Sequence, residues 1–383
     1  MKKLSKTIVT VAFAFTVSSI CYSQFSGGKG TQLDPYKITS RIDMEALADS
    51  VANSSSNDPI TNNNWSSGKY FKVINDIADS IKRVIVIDFS YYKAFQGNFN
   101  GNNKKITLAI VNMPYDFFPS ALFGITYNAN IYDLIVDGYV EGYSRCGSIC
   151  GTTIKSNISG CTNYCNIITL SANQSAGGGI CSDAYETNIS NCVNYGNVVN
   201  GDMYIDGICG LTLNVKIINC KNYGNINGET CVGGIVGHTD AGTNISYCSN
   251  SGLITGNSYG VGGIVGHFKG DELSYSINIG IIIGKETTIT EYPSAYAGGI
   301  VGMGGFESNY ALVSLVYNCI NSGLVVGKHI VGGIIGRCKG TVKNCINTGT
   351  VKGDTKTGCI VGENEGGTIE NCHYDKQTCS GEK

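Results

Sequence analysis

The chain has 383 residues, a net charge of −2, charged residues at 15% and 52 glycines. So few charges and no basic excess exclude nucleic acid and anionic membrane surfaces as partners, because either needs a basic stripe. Seventeen cysteines pose the question of a disulfide framework or a metal protein, and the repeats below answer it.

Residues 1–23 read as a secretory signal peptide. A lysine-bearing start precedes an apolar stretch from Ile8 to Val17 and small residues before a cut after Ser23. The stretch is too short and too interrupted for a membrane span. Ile20 before Cys21 is too large for a lipobox, so ordinary cleavage and export are expected, to the cell surface, outer envelope or medium. No second apolar run of about 20 residues follows, and no transmembrane segment is expected.

Residues 24–142 form a distinct N-terminal region. Ser40 with Asp43 three residues on makes a capping-box-like start, and Met44, Leu47, Ala48 and Val51 then share one face. A lone amphipathic helix must bury that face, and the open end of a repeat stack is the nearest apolar surface, so the helix is expected to be a cap. KYFKVINDI, RVIVIDFSYY, FQGNFNGNNKKITLAI and ALFGITYNANIYDLIVDGYVEG read as strands of irregular first coils.

From residue 143 to 383 one unit recurs eight times: a GGIVG-like block, a variable bend, then I-x-N-C-x-N-x-G-x-V-x-G. The glycine closing the first block falls at Gly151, Gly210, Gly237, Gly266, Gly302, Gly336 and Gly362, with Ser182 substituting once. Steps range from 26 residues (Gly336 to Gly362) to 36 (Gly266 to Gly302), the period of a solenoid. Each unit holds three short apolar runs bounded by turn residues and none with helical period. The expected fold is therefore all-β: a parallel β-helix with three short strands per coil, right-handed by the twist of L-residue strands.

Positions filled alike in every unit predict ladders along the rod. Cysteine fills one at Cys161, Cys192, Cys220, Cys248, Cys319, Cys345 and Cys372, with Ser276 as substitute. Two residues on stand Asn163, Asn194, Asn222, Asn250, Asn278, Asn321 and Asn347, then Tyr374; stacked amides bonding along the rod and to the bend's backbone are expected. Gly196, Gly224, Gly252, Gly280, Gly323 and Gly349 suggest a left-handed backbone angle there.

Cys150, Cys181 and Cys209 stand where other units have Val or Ile, so cysteine is replacing a core hydrophobe. Stacked neighbours about 4.8 Å apart are also too distant for relaxed disulfides. Most of these ten are expected to be buried, unreactive thiols. Cys146, Cys165, Cys231, Cys338, Cys359 and Cys379 lie off the ladders, and Cys372 with Cys379 is the pair expected to close the last coil. CGSIC and CTNYC fall inside the repeat register and do not read as zinc motifs.

The string FSGGKGTQLDPYKITSRIDMEALADSV, then GKYFKVINDI, FQGNFNGNNKKITLAI, VGGIVG and the NCxNxGxVxG units resembles bacterial surface proteins carrying GLUG-motif repeats. Such proteins are common in gut and oral Bacteroidota, and the type also occurs in adhesins and beside IgA-specific peptidases. The closing NCHYDKQTCSGEK resembles the place where such a repeat block ends before another module, and the chain is expected to lack the appended anchor, sorting or peptidase domain some relatives carry. The resemblance implies cell-surface adhesion, with a glycan or host surface protein as partner, no cofactor and no catalytic residue.

A glycan-cleaving β-helix is the rival class, and a purely structural envelope protein a third. A lyase or hydrolase needs carboxylates clustered on adjacent coils, whereas Asp183 and Asp240, the nearest to a shared bend, are two coils apart. The glycine strings lack a following GKS or GKT and recur in register, so they are structural rather than phosphate loops. His238 and His267 share a position in adjacent units and read as a solvated surface pair rather than a chelating one. Tyr164, Tyr195 and Tyr223 form a three-unit ladder, read as strand-edge packing or as a stacking strip for sugar rings. Five N-x-S sequons follow largely from the repeat's own NIS, and Asp49-Ser50-Val51 and Asp79-Ser80-Ile81 resemble a short O-glycosylation motif of exported Bacteroidota proteins.

Overall fold

The computed structural model describes residues 25–54, 64–85, 93–111, 118–170, 175–285, 295–305 and 314–379. The expected signal peptide with Cys21 and residues 86–92 of the RVIVIDFSYY run lie outside them. The molecule is a parallel β-solenoid of about ten turns, 56% strand and 4% helix.

One core row shows how the coils stack. Tyr36, Phe71, Phe99, Ile131, Ile158, Ile189, Ile217, Ile245, Leu273, Val316, Val342 and Ile369 pair each with the next in parallel register. The parallel stack thus runs back to Tyr36, through the segment that lacks the repeat. There the core is aromatic, with Phe71, Phe95, Phe99 and Phe123 fully buried. Farther along it becomes Ile, Val and Cys, smaller side chains that suit regular turns.

The three apolar runs of a unit lie in strands, and short two- and three-residue pieces complete each turn. In the last turns these are Thr341–Lys343, Ile346–Asn347, Val351–Gly353, Lys356–Gly358 and Val361–Asn364. The GIVG segments make a separate nine-stranded sheet; the rest joins one 33-stranded sheet.

The helix Arg41–Ala52 buries Met44, Leu47, Ala48 and Val51 in the same core cluster. Its Asp43, 4% exposed, accepts hydrogen bonds from the backbone amides of Ser26, Thr39 and Ser40. Burial pushes the Asp43 carboxyl upward, but the bonds from Thr39 and Ser26 outweigh it and hold it below its usual value. At the other end Ile369 is 43% exposed, so the final turn leaves its core row open.

Both polar ladders lie inside. Each asparagine from Asn163 to Asn321 donates from Nδ2 to the Oδ1 of the next, at 2.7 to 2.9 Å. Each also donates to the carbonyl two residues on, as Asn222 does to Gly224 at 2.9 Å. The cysteine thiols donate to two carbonyls, one two residues back and one in the preceding turn; Cys192 uses Ser190 and Ile158. Ser276 keeps the first of these bonds with its hydroxyl. A small weak donor therefore fits a position that is apolar on one side and carbonyl-lined on the other.

Two expectations fail here. The glycines at 196, 224, 252, 280, 323 and 349 are not left-handed; the left-handed residue is the one before each ladder cysteine, namely Gly160, Asn191, Asn219, Tyr247, Tyr275, Asn318, Asn344 and Asn371. The glycines are required by contact instead: a Cβ at Gly224 would lie 1.9 Å from the carbonyl oxygen of Gly196. And Cys372 is a free thiol, because its in-register place aims it at the carbonyls of Glu370 and Val342. The disulfide joins Cys359 to Cys379, tying the chain's last described residue to the final turn.

Candidate functional site

Two features mark the surface. The first is the bend around the cysteine and asparagine ladders. The rings of Tyr164, Tyr195 and Tyr223 stack at 4.9 Å, within 4° and 8° of parallel, a spacing dictated by the turn-to-turn rise. They are 44 to 48% exposed. Each ring covers its neighbour's face, so only the ends of the stack offer an open face; between them it offers edges. The next two turns continue the row from the other side of the cysteine. Tyr247 and Tyr275 stack at 5.0 Å and 7° and are 58% and 44% exposed, and Tyr317 meets Tyr275 edge-on. Ile277 and Ile279, also exposed, widen the strip. Six consecutive turns thus each place a tyrosine at one bend.

The second feature is a polar seam along the nine-stranded sheet. Its third position reads Ile125, Thr152, Asp183, Leu211, His238, His267, Met303, Arg337, Glu363 through successive strands. A second row lies over it, two residues before the in-register position held by Gly147, Asp206, Gly233 and Gly298. It includes Arg145, Tyr204 and Cys231, all left-handed at φ of 43°, 52° and 52°, and Tyr296. In each case that residue rests on the seam residue of the following turn. Arg145 Nε donates to Asp183 Oδ2 at 2.8 Å. Tyr204 lies 5.0 Å from the His238 ring, and the Arg337 guanidinium lies 5.3 Å from the Tyr296 ring. Cys231 lies against His267. Where the seam residue is Leu211 or Met303, the overlying position holds Ala176 or Gly260.

His238 and His267 are therefore not a solvated pair; they are 7% and 6% exposed, because Tyr204 and Cys231 arrive from preceding segments to cover them. Cys231, His238 and His267 each offer one ligand atom, and these atoms lie within 4.8 Å of one another. The two imidazoles meet edge-to-face at 4.8 Å. His238 Nε2 bonds Asp240 Oδ1 at 3.4 Å, and this bond leads in holding the Asp240 carboxyl down. Burial drives His267 down to about 2, with His238 and Lys269 adding to it, so its imidazole is neutral. Burial raises the Cys231 thiol to about 12. His238 Nδ1 and His267 Nε2 are buried without a hydrogen-bond partner.

Among the described residues, the carboxylates Asp183, Asp206 and Asp240 do not assemble as a hydrolytic pair would. Asp183 is buried under Arg145; burial raises it while the guanidinium opposes. Asp206 is fully sealed, and burial holds its carboxyl well above the usual range. Asp240 belongs to His238.

The sequence pointed to Tyr164, Tyr195 and Tyr223, and these come together. Tyr247 and Tyr275 escaped notice because they stand four residues out of register with them. Cys231 was read only as an off-ladder cysteine; its place beside the histidine row, at a left-handed position, becomes visible only once strands are paired.

No family model matches this chain, and no curated protein matches it. Its fold is similar to the crystal structure of a putative immunoglobulin A1 protease from Bacteroides ovatus, with a TM-score of 0.50 and 17% identity over 92% of this chain and 87% of that one. At that identity the likeness speaks for the solenoid fold alone.

Proposed function

We propose that this is an exported, non-enzymatic binding protein of the GLUG-repeat type, displayed at or released from the cell envelope, that attaches to a glycan or a host surface protein through the tyrosine strip. The observation that carries this reading is the row of tyrosines over six turns, exposed from Tyr164 to Tyr275 and half-buried at Tyr317. Exposed aromatic and apolar side chains stay in contact with water at a cost that burial against a partner relieves, and their regular spacing suits a ligand that itself repeats. A rigid stack lowers the entropy lost on binding, because the strip is already ordered. The resemblance to repeat-bearing surface proteins supports export and display. Binding rather than cleavage is favoured by the carboxylates: Asp183 is committed to Arg145, and Asp206 at 0% exposure is out of a substrate's reach.

The test is to apply the mature chain to an array of glycans and matrix proteins, beside a variant with Tyr195→Ser and Tyr247→Ser. Binding by the first, reduced at least tenfold in the second, supports the proposal. Binding that the double variant retains, or shortening of any arrayed glycan, contradicts it.

A further inference from the structure

We propose that Cys231, His238 and His267 form a zinc site that joins two successive turns of the solenoid. One thiolate and two imidazoles within 4.8 Å of one another are a donor set suited to tetrahedral zinc, with the fourth position left to water or a ligand. Cys231 and His238 come from one turn and His267 from the next, so an ion here would cross-link the strands Val236–Thr239 and Val265–Phe268.

The decisive observation is what the imidazoles lack. His238 Nδ1 and His267 Nε2 are buried without a hydrogen-bond partner, although burying an unsatisfied polar nitrogen is unfavourable. The other nitrogen of His238 bonds Asp240. A carboxylate on the far nitrogen orients a metal-bound histidine and makes it a better donor. The charges also balance, since the dication meets one thiolate and the Asp240 carboxylate. Asp240 is 43% exposed and sits at the rim, giving an ion a way in.

The row supplies its own controls. The position of His267 is filled by Met303 in the next turn, and that of Cys231 by Gly260, just before Val261, the partner of Val232. His267→Met and Cys231→Gly therefore install residues that this architecture already accommodates. Gly also suits the left-handed backbone of Cys231.

The experiment uses the full mature chain, kept reduced, incubated with zinc sulfate and desalted, with metal measured by mass spectrometry. About one zinc per chain is expected, falling to background in His267→Met and in Cys231→Gly, and unchanged in Cys165→Ala. Asp240→Asn is expected to weaken zinc binding about 10- to 100-fold. Cobalt(II) in place of zinc should give tetrahedral visible bands and a thiolate charge-transfer band that Cys231→Gly abolishes. Circular dichroism and melting of each variant establish that it is folded. A folded wild-type chain that takes up neither zinc nor cobalt overturns the proposal. So does uptake that both substitutions leave intact, or selective copper binding with zinc excluded.

Discussion

Asn222 Nδ2 donates to Asn250 Oδ1 at 2.8 Å, and Asn222 Oδ1 receives the same bond from Asn194. With its further bond to Gly224, each buried amide is used along the rod and across its own bend, and removing one strands partners on both sides. Asn222→Ala is expected to lower stability by about 2–4 kcal/mol, since buried groups left unpaired cost about 1–3 kcal/mol each. Asn347→Ala, at the far end of the row, should cost less. Chemical denaturation of the two variants compares them, and equal effects would contradict the ladder account.

Glycines here serve two purposes that alanine scanning separates. At Gly224 a Cβ would meet the Gly196 carbonyl oxygen at 1.9 Å, whereas at Gly68 it meets nothing and only the φ of +69° opposes it. Gly68→Ala is expected to cost about 1–2 kcal/mol. Gly224→Ala must push two turns apart and should cost more than about 4 kcal/mol, in the range of exceptional single substitutions. Melting temperatures of the pair provide the check.

Two buried carboxylates predict opposite pH dependences. Asp43 is held below its usual value, so its ionised form stabilises the fold. That contribution is full above the unfolded-state value of about 3.9 and is lost as pH falls through the lower folded value. Wild type should exceed Asp43→Asn in stability at pH 7, and the gap should close toward pH 2. Asp206 is held well above its usual value, so its ionisation opposes folding and its cost appears as pH rises past about 4. Every other turn has glycine in its row, from Gly178 to Gly358. Asp206→Gly should therefore gain about 1 kcal/mol at pH 7 and little at pH 3, measured by denaturation at both values.

The Cys359–Cys379 bridge closes a 20-residue separation, and a loop of that size stabilises by about 3 kcal/mol. In a stack each turn contacts mainly its neighbours. Cys379→Ser should therefore speed amide exchange in Val361–Tyr374 while leaving Ile245 and its neighbours unchanged. Uniform loosening would mean that the rod unfolds as one unit.

How much was legible followed from what the repeat encodes. A position filled alike in every unit announces its row, so the cysteine and asparagine ladders and the solenoid itself could be read before any coordinates. The same logic failed where a site draws on different positions. His238 and His267 were visible as a row, but their burial depends on Tyr204 and Cys231, which come from the variable stretch between V-x-G and GG. Cys372 looked available to Cys379 because both lie near the end; its ladder register decided otherwise. The glycines after the asparagines were misread because a close approach between turns and a left-handed φ leave the same trace in a sequence. The N-terminal turns, without a repeat, were legible as strands but not in register, because their core row changes from Tyr36, Phe71 and Phe99 to Ile131.

The central claim is that in-register stacking turns the cysteines inward as thiols and leaves the tyrosines outside. Thiol titration of the mature chain without reductant tests it most directly. Fourteen free thiols are expected on denaturation, with slow labelling in the native state and Cys372, the least buried of them, reacting first. A count of one or two thiols on denaturation would contradict it, since the cysteines would then be paired and the ladder would not exist.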